Sequence, residues 1–145
     1  MIVYADTSFI VKLVIDEVGS DLATQVWSSA TSVVSVSLMY VEARAALAGA
    51  HRGGRIDTAG LRRAKSGLSA LCAEVLTVEV GSDLLEAAGD LAERYALRGY
   101  DAVHLAGALL VGAEVLASAD VALCTAAMRS GIAVANVGRA VGGEV

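Results

Sequence analysis

Short runs of β-branched and other apolar residues alternate along the chain with longer segments in which apolar residues recur every three or four positions. The short runs predict buried strands, and the longer segments predict helices that pack on them. The predicted strands lie at residues 2–5, 33–36, 75–80, 115–117 and 132–137. The predicted helices lie at residues 9–15, 21–29, 38–52, 57–73, 83–98, 100–111 and 121–129.

The resulting element order is β-α-α-β-α-α-β-α-α-β-α-β. Strands that alternate with helices in this way favour a parallel sheet with helices on both faces. We therefore expect an α/β fold, a three-layer α/β/α sandwich around a mostly parallel sheet of four to five strands. One domain is expected at residues 1–140, followed by a loose C-terminal tail at 141–145.

The composition agrees with a sheet covered on both faces. Apolar residues make up 56% of the 145 residues, and the mean hydropathy is +0.63, which favours a doubly covered sheet together with an apolar interface. No uninterrupted apolar run reaches the roughly 18 residues of a membrane span, and no basic leader precedes the first strand. We expect a cytoplasmic protein without a membrane partner. Cys72 and Cys124 lack the spacing of a zinc site and are expected to be buried free thiols.

The net charge of −5 hides an uneven distribution along the chain. Residues 44–65 hold six bases and one acid, whereas the segments on both sides are acidic. The basic band consists of Arg44, Arg52, Arg55, Arg62, Arg63 and Lys65. Such a band fits either a phosphate contact surface or a solvated helix face.

Four isolated acids stand in otherwise apolar surroundings: Asp6, Glu42, Asp101 and Asp120. Asp6 and Asp120 each follow a predicted strand, so both fall at the edge where open α/β sheets bind ligands. Asp6, Asp101 and Asp120 also have a structural explanation, because each precedes a predicted helix that it can cap. Glu42 lies too deep in its helix to cap it, and its neighbour Arg44 points elsewhere. A half-buried carboxylate without a cationic partner is costly, and a bound metal offsets that cost.

Oxygen ligands from Asp and Glu favour Mg²⁺ or Mn²⁺, the usual ions of phosphate chemistry. Calcium is less favoured because there is no EF-hand loop, and Ser-His-Asp chemistry lacks a G-x-S-x-G elbow. His104 follows Asp101 by three residues and so shares its helical face, where it is either a supporting residue or a structural histidine. Ser8 and Ser118 each lie two residues from an acid and are candidates to orient it.

The order and spacing of these residues resemble the PIN domain, and more narrowly the VapC-type toxins of toxin–antitoxin pairs. The matching segments are Asp6-Thr7-Ser8 after the first strand, YVEARAAL around Glu42, LRGYDAVHLA around Asp101 and Ser118-Ala119-Asp120 before the last helix. Two departures are Ser118 where a threonine is expected, which keeps the hydroxyl, and a missing proline after Asp16-Glu17. Neither affects the four acids.

The resemblance implies a Mg²⁺- or Mn²⁺-dependent endoribonuclease that cuts a structured cellular RNA to inhibit translation. It also implies a homodimer and a small VapB-like antitoxin that buries a peptide against the active-site groove. Our hypothesis is that Asp6 and Asp101 hold the principal metal, with Glu42 and Asp120 completing the site. Arg44, Arg52 and Arg55 then anchor the RNA backbone.

Two alternative hypotheses fit the sequence less well. A PIN-like RNA-binding or scaffold module without catalysis is disfavoured because all four acids are present. A receiver-type phosphoryl-transfer domain needs a second acid beside Asp6 and a late lysine, whereas Thr7 follows Asp6 and the last lysine is Lys65.

Overall fold

The strands and helices follow one another in the order that the hydrophobic pattern predicts. A computed structural model describes residues 1–139, and the tail expected at 141–145 lies outside them. The strands are β1 (Ile2–Ala5), β2 (Ser32–Val36), β3 (Leu76–Val78), β4 (Val115–Ser118) and β5 (Ala133–Asn136). The helices are α1 (Thr7–Val14), α2 (Ser20–Ser29), α3 (Leu38–Arg52), α4 (Thr58–Glu74), α5 (Ser82–Tyr95), α6 (Gly99–Leu110) and α7 (Val121–Arg129). None of the helices among residues 1–139 is long and apolar enough to cross a bilayer.

The strands form one parallel sheet in the order β3-β2-β1-β4-β5. In the central strand β1, Tyr4 is paired in register with Val34 of β2 and with Leu116 of β4. Val3, Tyr4 and Ala5 are fully buried. A strand covered on both faces needs apolar side chains in both directions, which explains why β1 reads as an unbroken apolar run.

The helices form two layers, one on each face of the sheet. Val3 and Ala5 point into a core with Phe9 of α1 and Leu47 of α3, and helices α2 and α4 also contribute to this core. Tyr4 points the other way, into a second core built with α5, α6 and α7. The predicted α/β/α sandwich is therefore confirmed, with a sheet of five parallel strands.

The strand order reverses next to β1. The chain moves from β1 to β2 and β3 on one side, then returns to β4 on the other side of β1. The helix after β1 belongs to one layer and the helix after β4 belongs to the other. A crevice forms where neighbouring strands send their helices to opposite faces, and ligands of open α/β sheets bind there. Asp6 directly follows β1, and Asp120 lies two residues after the end of β4.

A tight turn between α5 and α6 differs from the predicted boundaries. Helix α5 ends at Tyr95, and Ala96 adopts the left-handed conformation with φ of 53°. In the sequence, Asp83 followed by Glu86 resembles a capping box that would start this helix at Asp83. That prediction is wrong, because Gly81 occupies the N-cap position and no side chain caps the helix. Since the chain turns at Ala96, α6 begins at Gly99, and Arg98 stands immediately before it.

Gly107 lets α6 lie close to the sheet. A Cβ atom at this position would be 2.8 Å from Val36 Cγ1 and 3.1 Å from the Tyr4 hydroxyl. Contacts that short require the neighbouring groups to move. The absence of a side chain at Gly107 therefore sets how near the earlier turns of α6 come to β1.

Candidate active site

A cavity of about 420 Å³ opens at the carboxyl edge of the sheet, and all four predicted acids line it. Asp6 follows β1, Asp120 follows β4, and Glu42 and Asp101 come from α3 and α6. The remaining lining residues are Thr7, Ser8, Val11, Lys12, Glu17, Ala46, Arg55, Arg98, His104 and Ala119. The cavity thus brings acids from both helical layers together.

Asp6 is a buried carboxylate held by neutral donors. Its Oδ1 accepts hydrogen bonds from the Ser8 hydroxyl at 2.6 Å and from the backbone N–H of Phe9 at 3.0 Å. Its Oδ2 accepts from the Ser118 hydroxyl at 2.6 Å. Burial raises the pKa of Asp6 above its ordinary value, and the positive potential of His104 and these hydrogen bonds offset only part of the rise. Asp6 therefore caps α1 and remains a buried acid in need of positive charge.

Ser118 connects Asp6 to Asp120. The fully buried Ser118 hydroxyl donates to Asp6 and accepts from the backbone N–H of Asp120 at 2.9 Å. Ser8 makes a parallel link, because its hydroxyl donates to Asp6 and accepts from the Ala119 N–H at 2.8 Å. The two serines join the segments after β1 and β4 and fix the orientation of the Asp6 carboxylate.

Glu42 has partners that the sequence reading did not foresee. Its Oε1 lies 2.7 Å from His104 Nε2 and accepts from the Thr7 hydroxyl at 2.8 Å. Burial acts to raise the pKa of Glu42, but the hydrogen bond and charge of His104, together with Thr7, outweigh it and leave the pKa below its ordinary value. The sequence predicts no partner for Glu42, but His104, 62 positions away, and Thr7 both contact its Oε1.

His104 is itself fixed on its other side. It is 2% exposed, its Nδ1 lies 2.9 Å from the Tyr4 hydroxyl, and the two rings meet edge to face. A histidine held at both ring nitrogens has a defined orientation. The chain Tyr4–His104–Glu42 therefore runs from the core beneath the sheet edge to the cavity wall and positions Glu42.

Asp101 and Asp120 share one arginine. Arg98 Nε lies 3.0 Å from Asp101 Oδ2, and its Nη2 lies 3.1 Å from Asp120 Oδ2. Asp120 also caps α7 through Oδ1, which accepts from the Leu123 N–H at 2.9 Å. Asp101 lies in the first turn of α6 and does not cap it, since Arg98 holds the N-cap position.

The acids suit a hard divalent cation by type of donor, since all four present carboxylate oxygens. The buried Asp6 adds a reason, because a desolvated carboxylate is stabilised by a nearby positive charge. Within residues 1–139, however, no three Asp, Glu, His or Cys side chains converge closely enough to hold one ion together. The donor set therefore fits Mg²⁺ or Mn²⁺, and the present arrangement pairs the acids with protein donors.

Cationic side chains line the cavity on the side of α1 and the loop after α3. Lys12 Nζ lies 3.0 Å from Glu17 Oε1, and Arg55 Nη1 lies 3.3 Å from Glu17 Oε2. Lys12 also donates to the Val18 carbonyl at 2.7 Å. This group adds two cationic side chains and one further acid to the lining of the cavity.

The basic residues predicted to bind substrate are spread over several surfaces. Arg55 lines the cavity, whereas Arg44 and Arg52 are exposed on α3 outside its lining. Arg44 donates to the Tyr40 hydroxyl at 2.8 Å and stacks over that ring. Arg62 and Lys65 of the same band line a separate cavity on α4. Arg55 therefore has the most direct access to the acids, and the roles of Arg44 and Arg52 stay predictions.

Two basic residues of the cavity, Lys12 and Arg98, were not predicted as site residues from the sequence. Lys12 is the one charge in the apolar run from Phe9 to Ile15, which was a usable signal. Arg98 precedes Asp101 by three residues, a spacing that places two side chains on neighbouring turns. Its contact with Asp120 depends on the tertiary fold and leaves no local signal.

A family model described as "PIN domain" matches residues 3–127. Together with the parallel sheet and the acids at its edge, this match shows that the chain belongs to the PIN-domain family. More narrowly, the chain is 42% identical to ribonuclease VapC45 of Mycobacterium tuberculosis over 111 residues, 77% of each chain. The recognition of a VapC-type PIN domain is confirmed.

Solved structures agree with the fold. The chain superposes on Mycobacterium tuberculosis VapC20, a sarcin-ricin loop cleaving toxin, with a TM-score of 0.61 and 21% identity, covering 79% of this chain and 86% of that one. It superposes on a chain of a toxin–antitoxin complex from Klebsiella pneumoniae with a TM-score of 0.61 and 18% identity, covering 81% and 86%. At these identities the likeness establishes the shared fold.

Proposed function

We propose that this chain is the toxin of a toxin–antitoxin pair, a divalent-metal-dependent endoribonuclease that hydrolyses RNA phosphodiester bonds. The observation that carries the proposal is the convergence of Asp6, Glu42, Asp101 and Asp120 on one cavity at the strand-order reversal. Similarity to a relative named a ribonuclease supports the RNA substrate class.

The four acids are the proposed holders of Mg²⁺, with Mn²⁺ as a substitute. Asp6 and Asp101 are assigned the principal contacts, and Glu42 and Asp120 complete the set. When bound, such an ion lowers the pKa of a water and stabilises charge on the scissile phosphate. The protein sets the orientation of each acid, because a metal-binding side chain is oriented by the residues that hydrogen-bond to it.

The supporting residues act on two of the acids. Ser8 and Ser118 hold both oxygens of Asp6, so this carboxylate cannot rotate without losing hydrogen bonds. Thr7 and His104 hold Oε1 of Glu42. Since these contacts already exist in the fold, Asp6 and Glu42 lose little further conformational entropy when a ligand binds to them.

Positive charge near the cavity is assigned to the RNA backbone. Arg55 lies on the cavity wall, and Arg44 and Arg52 extend the same polarity along α3. Lys12 joins this set because its ammonium faces the cavity beside Arg55. Backbone contacts of this kind position a nucleic acid, and unpaired bases supply sequence choice.

The proposed partners are a small VapB-like antitoxin and a second copy of the chain, in a cytoplasmic setting where cellular RNA is found. The similarity to a chain solved in a toxin–antitoxin complex supports the first partner at the level of the fold. The second is supported by exposed apolar side chains on α5 and α6, namely Leu85, Tyr100, Leu109 and Leu110. Buried apolar surface is the usual source of stable association.

The test is cleavage of total cellular RNA by the purified protein with Mg²⁺, with EDTA, and with Mg²⁺ for Asp6→Asn and Asp101→Asn. Asp90→Asn is the matched control, because it removes an exposed acid from α5, away from the cavity. Cleavage is expected with Mg²⁺ for the unchanged chain and the control, and a loss of at least about 100-fold for the two cavity variants. Equal cleavage in every sample would overturn the proposal.

The alternative is an inactive PIN-like module that binds RNA. Four acids retained in one cavity, in a chain similar to a named ribonuclease, favour the enzyme. Retention of RNA on the folded protein without cleavage under any metal condition would support the inactive module instead.

A further inference from the structure

Arg98 is the cation that bridges two of the four acids. Its guanidinium contacts Asp101 at 3.0 Å and Asp120 at 3.1 Å through two different nitrogens. The side chain is nevertheless 77% exposed, because it projects from the turn before α6 across the mouth of the cavity. A planar guanidinium with several donors is suited to spanning two carboxylates in this way.

The contact uses the oxygen that Asp120 has available. Asp120 Oδ1 accepts the Leu123 N–H and caps α7, and Oδ2 accepts from Arg98. Asp101 contributes the same kind of oxygen, Oδ2, to the same guanidinium. A divalent cation that binds these two oxygens has to compete with the Arg98 guanidinium, which already contacts both.

The other half of the cavity is arranged differently. Asp6 is held by two serine hydroxyls and a backbone N–H, and Glu42 by a threonine hydroxyl and His104. The cationic side chains on that side, Lys12 and Arg55, pair with Glu17. Among the described residues, the direct lysine or arginine contacts to the four acids are therefore those of Arg98.

We propose that Arg98 is a displaceable counter-ion that competes with the divalent cation for Asp101 and Asp120. The inference rests on the proposed function and concerns the regulation of that same site. Two like charges repel strongly when they share carboxylate oxygens, so the guanidinium leaves when the cation binds. Its exposure lets it rotate into solvent without any change in the backbone.

Arg98 then has two consequences for the site. It keeps Asp101 and Asp120 close together despite their like charge, so the fold tolerates the acids without an ion. It also lowers the affinity for the cation, which sets the concentration at which the site fills. Loss of Arg98 strengthens cation binding, opposite to the effect expected for a residue that assists the metal.

The experiment measures Mn²⁺ binding to metal-stripped protein by electron paramagnetic resonance, for the unchanged chain, Arg98→Gln, Arg98→Lys and Arg55→Gln. Arg55→Gln is the matched control, because it removes an equal charge from the lining of the same cavity, and Arg55 pairs with Glu17, not with Asp101 or Asp120. Circular dichroism establishes that each variant is folded. Asp6→Asn reports whether the bound Mn²⁺ occupies the proposed site.

We expect Arg98→Gln to raise the Mn²⁺ affinity about tenfold, as two lost ion pairs imply. Arg55→Gln is expected to change it no more than about threefold through long-range charge. Arg98→Lys is expected to fall between the unchanged chain and Arg98→Gln, because an ammonium keeps the charge and lacks the planar fork. As a second readout, the Nε resonance of Arg98 is expected to shift on titration with Mg²⁺.

The two possible failures are distinct. Equal affinity changes in Arg98→Gln and Arg55→Gln, with an unmoved Nε resonance, would overturn the role of Arg98 and leave the nuclease proposal intact. Absence of a Mn²⁺ site that depends on Asp6 would overturn the metal site and Arg98's role together. A loss of affinity in Arg98→Gln would also overturn the counter-ion role, since it would make Arg98 an aid to binding.

Discussion

Replacing Ser118 with alanine removes one oxygen atom and two hydrogen bonds from the candidate site. The hydroxyl donates to Asp6 Oδ2 at 2.6 Å and accepts from the Asp120 N–H at 2.9 Å. Ser118 is fully buried and Asp6 is 5% exposed, so water has little access to the groups left behind. The substitution therefore isolates the contribution of a neutral donor to a buried carboxylate.

The expected cost depends on the charge of Asp6. A hydrogen bond to an ionised group contributes about 1.5–3 kcal/mol, whereas a bond between neutral groups contributes about 0.5–1.5 kcal/mol. Including the lost bond to Asp120, the free energy of unfolding should fall by about 2–4 kcal/mol when Asp6 is ionised. It should fall by about 1–3 kcal/mol when Asp6 is protonated.

The sign of the pH dependence follows from the raised pKa of Asp6. Because the folded pKa exceeds the unfolded one, ionising Asp6 costs the folded state, and this cost is absent below the ordinary value of 3.8. It grows as the pH rises from there through the folded pKa. Ser118→Ala removes a contact that lowers this pKa, so the cost at neutral pH increases further. The variant should lose more stability at pH 7.5 than at pH 4.

The assay is urea unfolding in EDTA between pH 4 and pH 7.5, with equal slopes confirming comparable transitions. Ser35→Ala is the matched control, because Ser35 is equally buried but donates to the Ala5 carbonyl at 2.7 Å. The loss of stability in Ser35→Ala should be the same at every pH in this range. A pH-independent loss in Ser118→Ala, or a pH dependence that persists in the Asp6→Asn background, would refute the assignment of the effect to the Asp6 carboxylate.

Two further predictions address packing and thiol reactivity. Gly107→Ala should lower the free energy of unfolding by about 1–3 kcal/mol, because the added methyl group would contact Val36 and Tyr4. Thermal unfolding measures this, with Gly89→Ala as the control because a Cβ atom there has no neighbour within 4 Å. Equal changes in the stability of the two variants would contradict the prediction. Burial raises the pKa of Cys124 to about 11. Alkylation of the native protein at pH 7.5 should therefore modify the partly exposed Cys72 first. Mass spectrometry identifies the modified residue, and modification of Cys124 before Cys72 would refute the prediction.

The order of elements was predictable because each strand is a short, mainly apolar run that alternates with longer helical segments. The boundary between α5 and α6 was not, since Ala96 adopts a conformation for which alanine gives no local signal. The Asp83 capping box failed for a related reason, because Asp83 lies inside the first turn and not at its cap. Position in the turn is set by where the preceding strand ends, which single-residue preferences do not resolve.

The acids themselves were readable from the sequence, but their partners were not. Asp6 and Asp120 follow strands that pair in parallel, so their proximity follows from the sheet. Glu42 and His104, by contrast, meet from helices of opposite layers. That contact depends on how close each helix lies to the sheet, and Gly107, one turn after His104 in α6, influences this distance.

The division of the acids between the two helical layers has a mechanical consequence. Asp6 caps α1 and Glu42 lies in α3, on one face of the sheet, while Asp101 lies in α6 and Asp120 caps α7, on the other. A ligand that contacts all four acids links the two helical layers at the edge of the sheet, and so opposes sliding of one layer relative to the other. Conversely, a core substitution far from the cavity that lets the two layers shift would weaken ligand binding at the site without altering any of its residues.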